Sequence, residues 1–261
     1  MVVSSDALVP GDGGGTVDGD ASVAMAADAS LVTDGDTTDA AFVPLGIAVM
    51  PLAGGNGVLD VVALTLQKGP MGIELYAALR NDDATQLACA PGLSVQLYDK
   101  SGQPIGTWIG GIDTFRFYDY DQGDASTLAS CVGPGDLVMA WLTGLPADLD
   151  VDDVGTIVYQ CSYWALEGPP VSGLSVSGLT TVDLDSGTAF TGTLVNGFDA
   201  AVVGPSVDVF AVNAAGRPLG MATTAADAGD IPAGGSWMFQ TSAVDVPVVG
   251  YVAYPTATTI Q

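Results

Sequence analysis

From residue 42 onward the chain runs in short apolar bursts separated by Gly, Pro, Asn and Asp. VLDVVALTLQ, GIELYAALRN, GLSVQLYD, DLVMAWLT and TIVYQCSYWAL come first; after a break at EGPPVSG follow SVSGLTTVDL, TAFTGTLVN, SVDVFAVN, GSWMFQT and VVGYVAY. Runs of strand length bounded by turn formers predict β-strands, and no stretch carries a sustained 3.6-residue apolar stripe. The 35 Gly and 15 Pro also disfavour long helices. A chain of 261 residues has room for two domains, each able to bury a core.

The two series read as two copies of one unit. The strand and turn of SVQLYDKSGQPIG match VDVFAVNAAGRPLG, with Gly102, Pro104 and Gly106 opposite Gly216, Pro218 and Gly220. Upstream, LRND around Asn81 matches LVNG around Asn196; downstream, VGPGDLVMAWLTG matches IPAGGSWMFQTSA. Each copy closes on a tyrosine-bearing strand, YQCSYW and GYVAYP, which puts the joint near residues 167–170.

This order of cues resembles the FxLYD-type immunoglobulin-like domains of bacterial surface proteins. There a strand ending in Asn precedes a V-x-V-x-Φ-Y-D strand, a G-x-x-Φ-G turn, and a Pro-Gly turn before a further strand. Tyr98 and Asp99 carry the pattern in the first copy, whereas Val212 and Asn213 depart from it in the second. The resemblance spans most of residues 55–165 and 172–255. It implies an all-β fold of two tandem immunoglobulin-like antiparallel β-sandwiches of about seven strands each, over residues 42–167 and 168–261, behind an extended tail of residues 1–41. It implies little about function, because such sandwiches host many roles.

The tail is dominated by Gly, Asp, Ala, Ser and Thr, the composition of a flexible acidic linker. Two apolar patches interrupt it, at residues 2–9 and 23–32. In the second, Val23, Met25 and Ala27 alternate with Ala24, Ala26 and Asp28, so an extended segment turns one small apolar face to an acceptor, with Leu31 and Val32 behind it. Val2, Val3, Leu8 and Val9 form a less regular fallback donor.

Charge narrows the partners. Thirty acidic residues, nearly all Asp, face five basic ones, for a net charge of −25. Such a field repels nucleic acid and bare anionic membrane surfaces. Asp favours turns over helices, so the charge belongs in loops, where it serves solubility. No apolar stretch is long enough to span a membrane, since AAFVPLGIAVMPLAGG is cut by Pro44 and Pro51. The opening MVVSSDALVPGDGGG lacks the basic and apolar regions of an intact secretion signal, so export would require one that was removed or lies outside this numbering.

The three cysteines, Cys89, Cys131 and Cys161, form no CxxC pair, and with no histidine in the chain a zinc site is all but excluded. Cys89 in ACAPG and Cys131 in SCVGPG lie beside turn sequences, and a disulfide between these two loops is the preferred pairing, with an oxidising compartment as its consequence. Cys161 alternates with Ile157, Tyr159 and Tyr163 and reads as a small buried hydrophobe; pairing of Cys161 with either loop cysteine is the alternative.

No catalytic residues stand out. Without histidine there is no Ser-His-Asp or Cys-His arrangement, and Asp is so abundant that paired carboxylates occur at any spacing. In YDYDQGDAS, Asp119, Asp121 and Asp124 surround Gly123 as oxygen ligands around a glycine turn, the arrangement of a weak calcium loop, against the plainer reading of a solvated turn. Residues 148–153, DLDVDD, are a second such cluster. Trp141 and Trp237 fall on related late strands, where core packing explains them. No N-x-[ST] sequon is present, and O-linked glycan on tail Ser and Thr is the remaining glycan candidate.

The expected function is structural and non-enzymatic: an extracellular or cell-surface filament subunit that joins copies of itself head to tail by inserting its N-terminal strand into a neighbouring domain. The alternative is a monomeric surface-displayed binding or adhesion module with the tail as spacer. A secreted enzyme accessory domain is a third reading.

Overall fold

A computed structural model describes residues 47–52, 57–69, 72–113, 116–119, 128–142, 149–166, 173–224, 229–257 and 259–260. The described residues form β-strands joined by turns and one 3₁₀ turn, residues 151–153. The fold is all-β, built from several antiparallel sheets consistent with β-sandwich packing.

Before residue 167 lie β1 (Ala48–Pro51), β2 (Leu59–Gly69), β3 (Gly72–Asn81), β4 (Leu87–Asp99), β5 (Pro104–Asp113), β6 (Arg116–Asp119), β7 (Leu128–Val132), β8 (Leu137–Leu142) and β9 (Val154–Leu166). Their hydrogen-bonded order is β1-β9-β4-β5-β8-β3-β2, with the β6–β7 hairpin attached to β4. β5 turns the corner. Thr107 and Ile109 pair with Gln96 and Ser94 of β4, and Ile112 then pairs with Ala140 of β8. Period-two alternation fixes the faces: Leu93, Val95 and Leu97 of β4 and Ile157, Tyr159 and Cys161 of β9 are buried, while Gln160 and Ser162 lie in solvent. The strands β5, β6 and β7 were not among the apolar runs, because their glycines, hydroxyls and charges dilute the alternation.

After residue 172 lie β10 (Leu174–Leu184), β11 (Gly187–Asn196), β12 (Val202–Val203), β13 (Ser206–Val212), β14 (Pro218–Thr223), β15 (Ser236–Gln240), β16 (Gly250–Thr256) and β17 (Thr259–Ile260). They make sheets β10-β11-β15 and β14-β13-β16, plus the small pair β12-β17. The order repeats that of the preceding strands: β10, β11 and β15 stand as β2, β3 and β8 do, and β14, β13 and β16 as β5, β4 and β9 do. Among the described residues no strand pairing crosses residues 167–172.

The turns repeat too, in the backbone groups that their side chains bond. Asn81, at the end of β3, is fully buried; its Nδ2 donates to the carbonyls of Gln86 (2.8 Å) and Val132 (3.0 Å), and its Oδ1 accepts from Asp83 N (3.0 Å). Asn196, at the end of β11, donates to Ala200 O (2.8 Å), Ile231 O (3.0 Å) and Pro232 O (3.1 Å) and accepts from Phe198 N (2.9 Å). Each side chain satisfies the backbone of two loops that would otherwise bury unpaired polar groups. After β4, Asp99 Oδ1 accepts from the amides of Ser101 and Gln103; after β13, Asn213 Oδ1 accepts from those of Ala215 and Arg217. Both turns need a left-handed residue, Gly102 at φ 82° and Gly216 at φ 74°.

β3 is buried on both faces. Leu75, Ala77 and Leu79 point into the core, packed with Leu93, Val95 and Leu97, whereas Tyr76 on the opposite face joins Phe210, Val212 and Tyr254 from the β14-β13-β16 sheet. Met221 and Val252 pack against the same cluster, and Gln67 Nε2 donates to Leu219 O across it (2.9 Å). A second cluster, including Phe190, Leu194, Val207, Val209 and Phe239, fills the space between β10-β11-β15 and β14-β13-β16.

The buried asparagines give a direct test. Asn196→Ala strips one donor pair and one acceptor from four backbone partners, and we expect it to lower the unfolding free energy by about 3 kcal/mol in urea titration. A loss below about 0.5 kcal/mol would show that the two loops hold themselves.

Candidate functional site

The described residues hold little that resembles an active centre. No group of three His, Cys, Asp or Glu side chains among them is placed to hold a metal ion. Asp119 closes β6, and Asp121 and Asp124 lie outside the described residues, as does Asp148, the first residue of the DLDVDD cluster. The rest of that cluster serves its own backbone, since Asp150 Oδ1 accepts from Asp152 N (3.2 Å) and caps the 3₁₀ turn. Asp83 and Asp99 behave alike. Amides of Thr85 and Gln86 hold the Asp83 carboxyl below its ordinary range, and the Ser101 side chain and Gln103 amide do so for Asp99.

Cys89 and Cys131 form a disulfide, S–S 2.00 Å. Neither sits in a loop, contrary to the expectation from ACAPG and SCVGPG: they are directly opposed residues of the antiparallel pair β4–β7. The Ala90–Pro91–Gly92 cue marks a bulge within one long strand, where the pairing with β9 slips between Cys89 and Gly92 and Ala90 takes φ 46°. Cys161 is buried against the core, and burial, with Asp60 adding to it, pushes its thiol up to about 12. Trp141 stacks on Tyr76 at 6.4 Å between ring centres, and Trp237 lies 5.9 Å from Phe239.

Sequence reasoning missed the surface that joins the two sets of sheets. Glu74 lies there, nearly buried, and accepts from the Tyr76 hydroxyl at 2.8 Å. Burial first, then the hydrogen bond and charge of Glu74, push the Tyr76 phenol far above its ordinary value. The alternation in GIELYAALRN marks one core face but gives no sign that Glu74 and Tyr76 lie under a second sheet.

The sheet edges are the other feature with chemical consequence. β1 lies on the outer edge of β9 and runs parallel to it, pairing Ala48 to Pro51 with Thr156 to Tyr159, and Leu52 N extends the ladder to Tyr159 O (2.7 Å). The chain then returns to the other sheet, where Val58 N donates to the Tyr163 hydroxyl (3.0 Å). β16 holds the place of β9 in the second set of sheets, and among the described residues no strand pairs with its outer edge. Val249, just before β16, is 56% exposed. The candidate donors Val23, Met25, Ala27, Leu31 and Val32, and the fallback Val2, Val3, Leu8 and Val9, all lie outside the described residues.

No protein-family model and no curated protein matches this chain. Among solved structures it is similar to a crystal structure of red sea bream transglutaminase, at 9% identity over 77% of this chain, with a TM-score of 0.22. The match spans 29% of that protein's length, and a likeness at this level carries no argument about fold or activity.

The cysteine chemistry is testable. Replacing Cys89 and Cys131 with serine opens a closure 42 residues apart in sequence. The chain-entropy relation gives a loss of about 4 kcal/mol, read by urea unfolding under oxidising conditions. In the native wild-type protein, iodoacetamide at pH 8 should leave Cys161 unlabelled for hours; rapid single labelling would contradict its burial.

Proposed function

We propose that this chain is a non-enzymatic structural subunit of an extracellular or cell-surface filament, made of two tandem immunoglobulin-like sandwiches of the FxLYD type behind an acidic tail. The observation that carries the reading is β1, a four-residue strand from the N-terminal side that seats parallel on the outer edge of β9, so that this fold takes an added strand at such an edge. An open edge of backbone N–H and C=O groups accepts a strand from another chain. A donor that passes forward from one copy to the next makes a head-to-tail contact, which does not close and so grows as a filament.

The matched turns of Asn81 with Asn196 and Asp99 with Asn213 support a duplicated unit. The Cys89–Cys131 bridge agrees with an oxidising location. With a charge of −25 on every copy, long-range electrostatics oppose association, so added salt should promote assembly by screening it.

A second reading, a monomeric binding module, has its own observation. The outer face of β9, β4 and β5 exposes Trp164 (60%) and Ile109 (82%) among Ser94, Gln96, Thr107, Gln160 and Ser162, without a charged side chain among these residues of a highly acidic chain. That surface suits a neutral partner.

Sedimentation velocity separates the two. The filament reading predicts that the full chain forms concentration-dependent polymers, more so at high salt, while a chain lacking residues 1–40 stays a folded monomer. Polymers unchanged by that deletion would refute the tail's role, and a full chain monomeric at all concentrations would favour the binding module.

A further inference from the structure

Resting on the filament reading, the structure assigns the faces through which copies stack: the outer face of β9-β4-β5 in one copy against the outer face of β10-β11-β15 in the next. The template is the contact inside each chain. There the first set of sheets offers the outer face of β2-β3-β8, and the second offers that of β14-β13-β16. Tyr76 packs with Phe210, Val212 and Tyr254, and β14 lies against β2 and β3, with Gln67 bonded to Leu219 O. Because β2, β3 and β8 correspond to β10, β11 and β15, and β14, β13 and β16 to β5, β4 and β9, each chain carries one further face of each kind. A second copy can therefore repeat between chains the contact that one chain makes within itself.

The correspondence extends to single positions. Phe210 pairs with Met221 and Val252 on its two sides, as Gln96 does with Thr107 and Val158. Tyr76 pairs with Thr65 and Trp141, as Thr191 does with Thr180 and Gln240. What is covered within the chain is open at its counterpart. Met139 of β8, opposite Ala78, is fully buried, whereas Met238 of β15, opposite Thr193, is 82% exposed. Val182 and Leu184 of β10 and Ile109 of β5 are exposed as well.

Charge favours the same pairing. In a chain of net charge −25, β9, β11, β15 and residues 104–111 of β5 contain no charged residue. β4 has only Asp99, at its end, and β10 only Asp183, which alternates with the outward positions Val182 and Leu184. Two such faces close without burying a charge and without adding to the repulsion between copies. Their hydroxyls and amides, as on Thr180, Thr191, Gln96 and Gln240, both donate and accept, so they can satisfy one another across the contact. Thr191 and Gln96 stand where the inner contact has Tyr76 and Phe210, so less apolar surface is buried and the contact between copies is the weaker of the two. A different face on each partner makes it heterologous, and it propagates along a filament.

Sedimentation velocity of full-length variants tests this pairing. Thr107→Glu places a charge on one face and Val182→Glu on the other; both side chains are exposed, and urea unfolding midpoints should stay at the wild-type value. Where the wild type polymerises, each variant alone should self-associate roughly tenfold or more weakly. An equimolar mixture of the two should form a 1:1 dimer and nothing larger, because each variant keeps the face that the other needs. Gln96→Glu and Thr180→Glu, on the same two faces, should reproduce this result. A mixture that stays monomeric or grows past the dimer, or either variant polymerising as the wild type does, overturns the pairing and leaves the filament reading standing. A wild type that is monomeric at every concentration and salt overturns both.

Discussion

A strand in a sheet presents hydrogen-bonding groups on both sides, and the side that faces no neighbour has to find water or another strand. That constraint governs this molecule at β9 and β16. The first is met by β1, only four residues long, which turns a sheet edge into an interior position over Thr156 to Tyr159. The second, seven residues long, is an edge among the described residues. The energetics of covering it are balanced. Each added backbone hydrogen bond contributes a net ~1 kcal/mol, and ordering each donor residue costs ~1–2 kcal/mol. Backbone pairing alone therefore comes close to cancelling, and the outcome rests on apolar burial, ~1.5–3 kcal/mol for a Val or Met side chain. A donor of alanine and glycine alone would not hold; one with Val or Met side chains to bury would have the margin.

The same reasoning assigns a role to the contact between the two sets of sheets. Phe210, Val212 and Tyr254 lie in one hydrophobic cluster with Tyr76 and the core of the first set, so the surface that could have slipped is apolar and buried. Glu74 is tolerated there because the Tyr76 hydroxyl satisfies one of its oxygens, and Gln67 spends its amide on Leu219 O rather than on water. Polar groups paired in this way penalise displacement more than they add stability. In the filament subunit proposed above, a fixed relation between the halves would be the useful property.

Much of this was legible in the sequence, and the reasons are specific. Asn81, Asn196, Gly102 and Gly216 announce themselves because a buried amide that serves two loops and a left-handed turn residue admit few substitutes. The alternating strands β4 and β9 were visible for the same kind of reason, since one face meets solvent and the other does not. Pattern misleads where two chemistries share a signal: Pro91 and Gly92 read as a loop beside Cys89, yet the residues make a bulge, which needs the same backbone freedom as a turn. It is silent where the partner is remote, as at Glu74 and Tyr76, whose burial depends on strands more than a hundred residues later. The parallel placement of β1 was likewise hidden, because four apolar residues fit many sheets equally well.

Whether strand addition organises the molecule in use is decided most directly by electron microscopy of the native full-length protein at increasing concentration. The account predicts unbranched filaments one subunit wide, with a regular axial repeat. Fields of single, separate particles at every concentration and salt would contradict it.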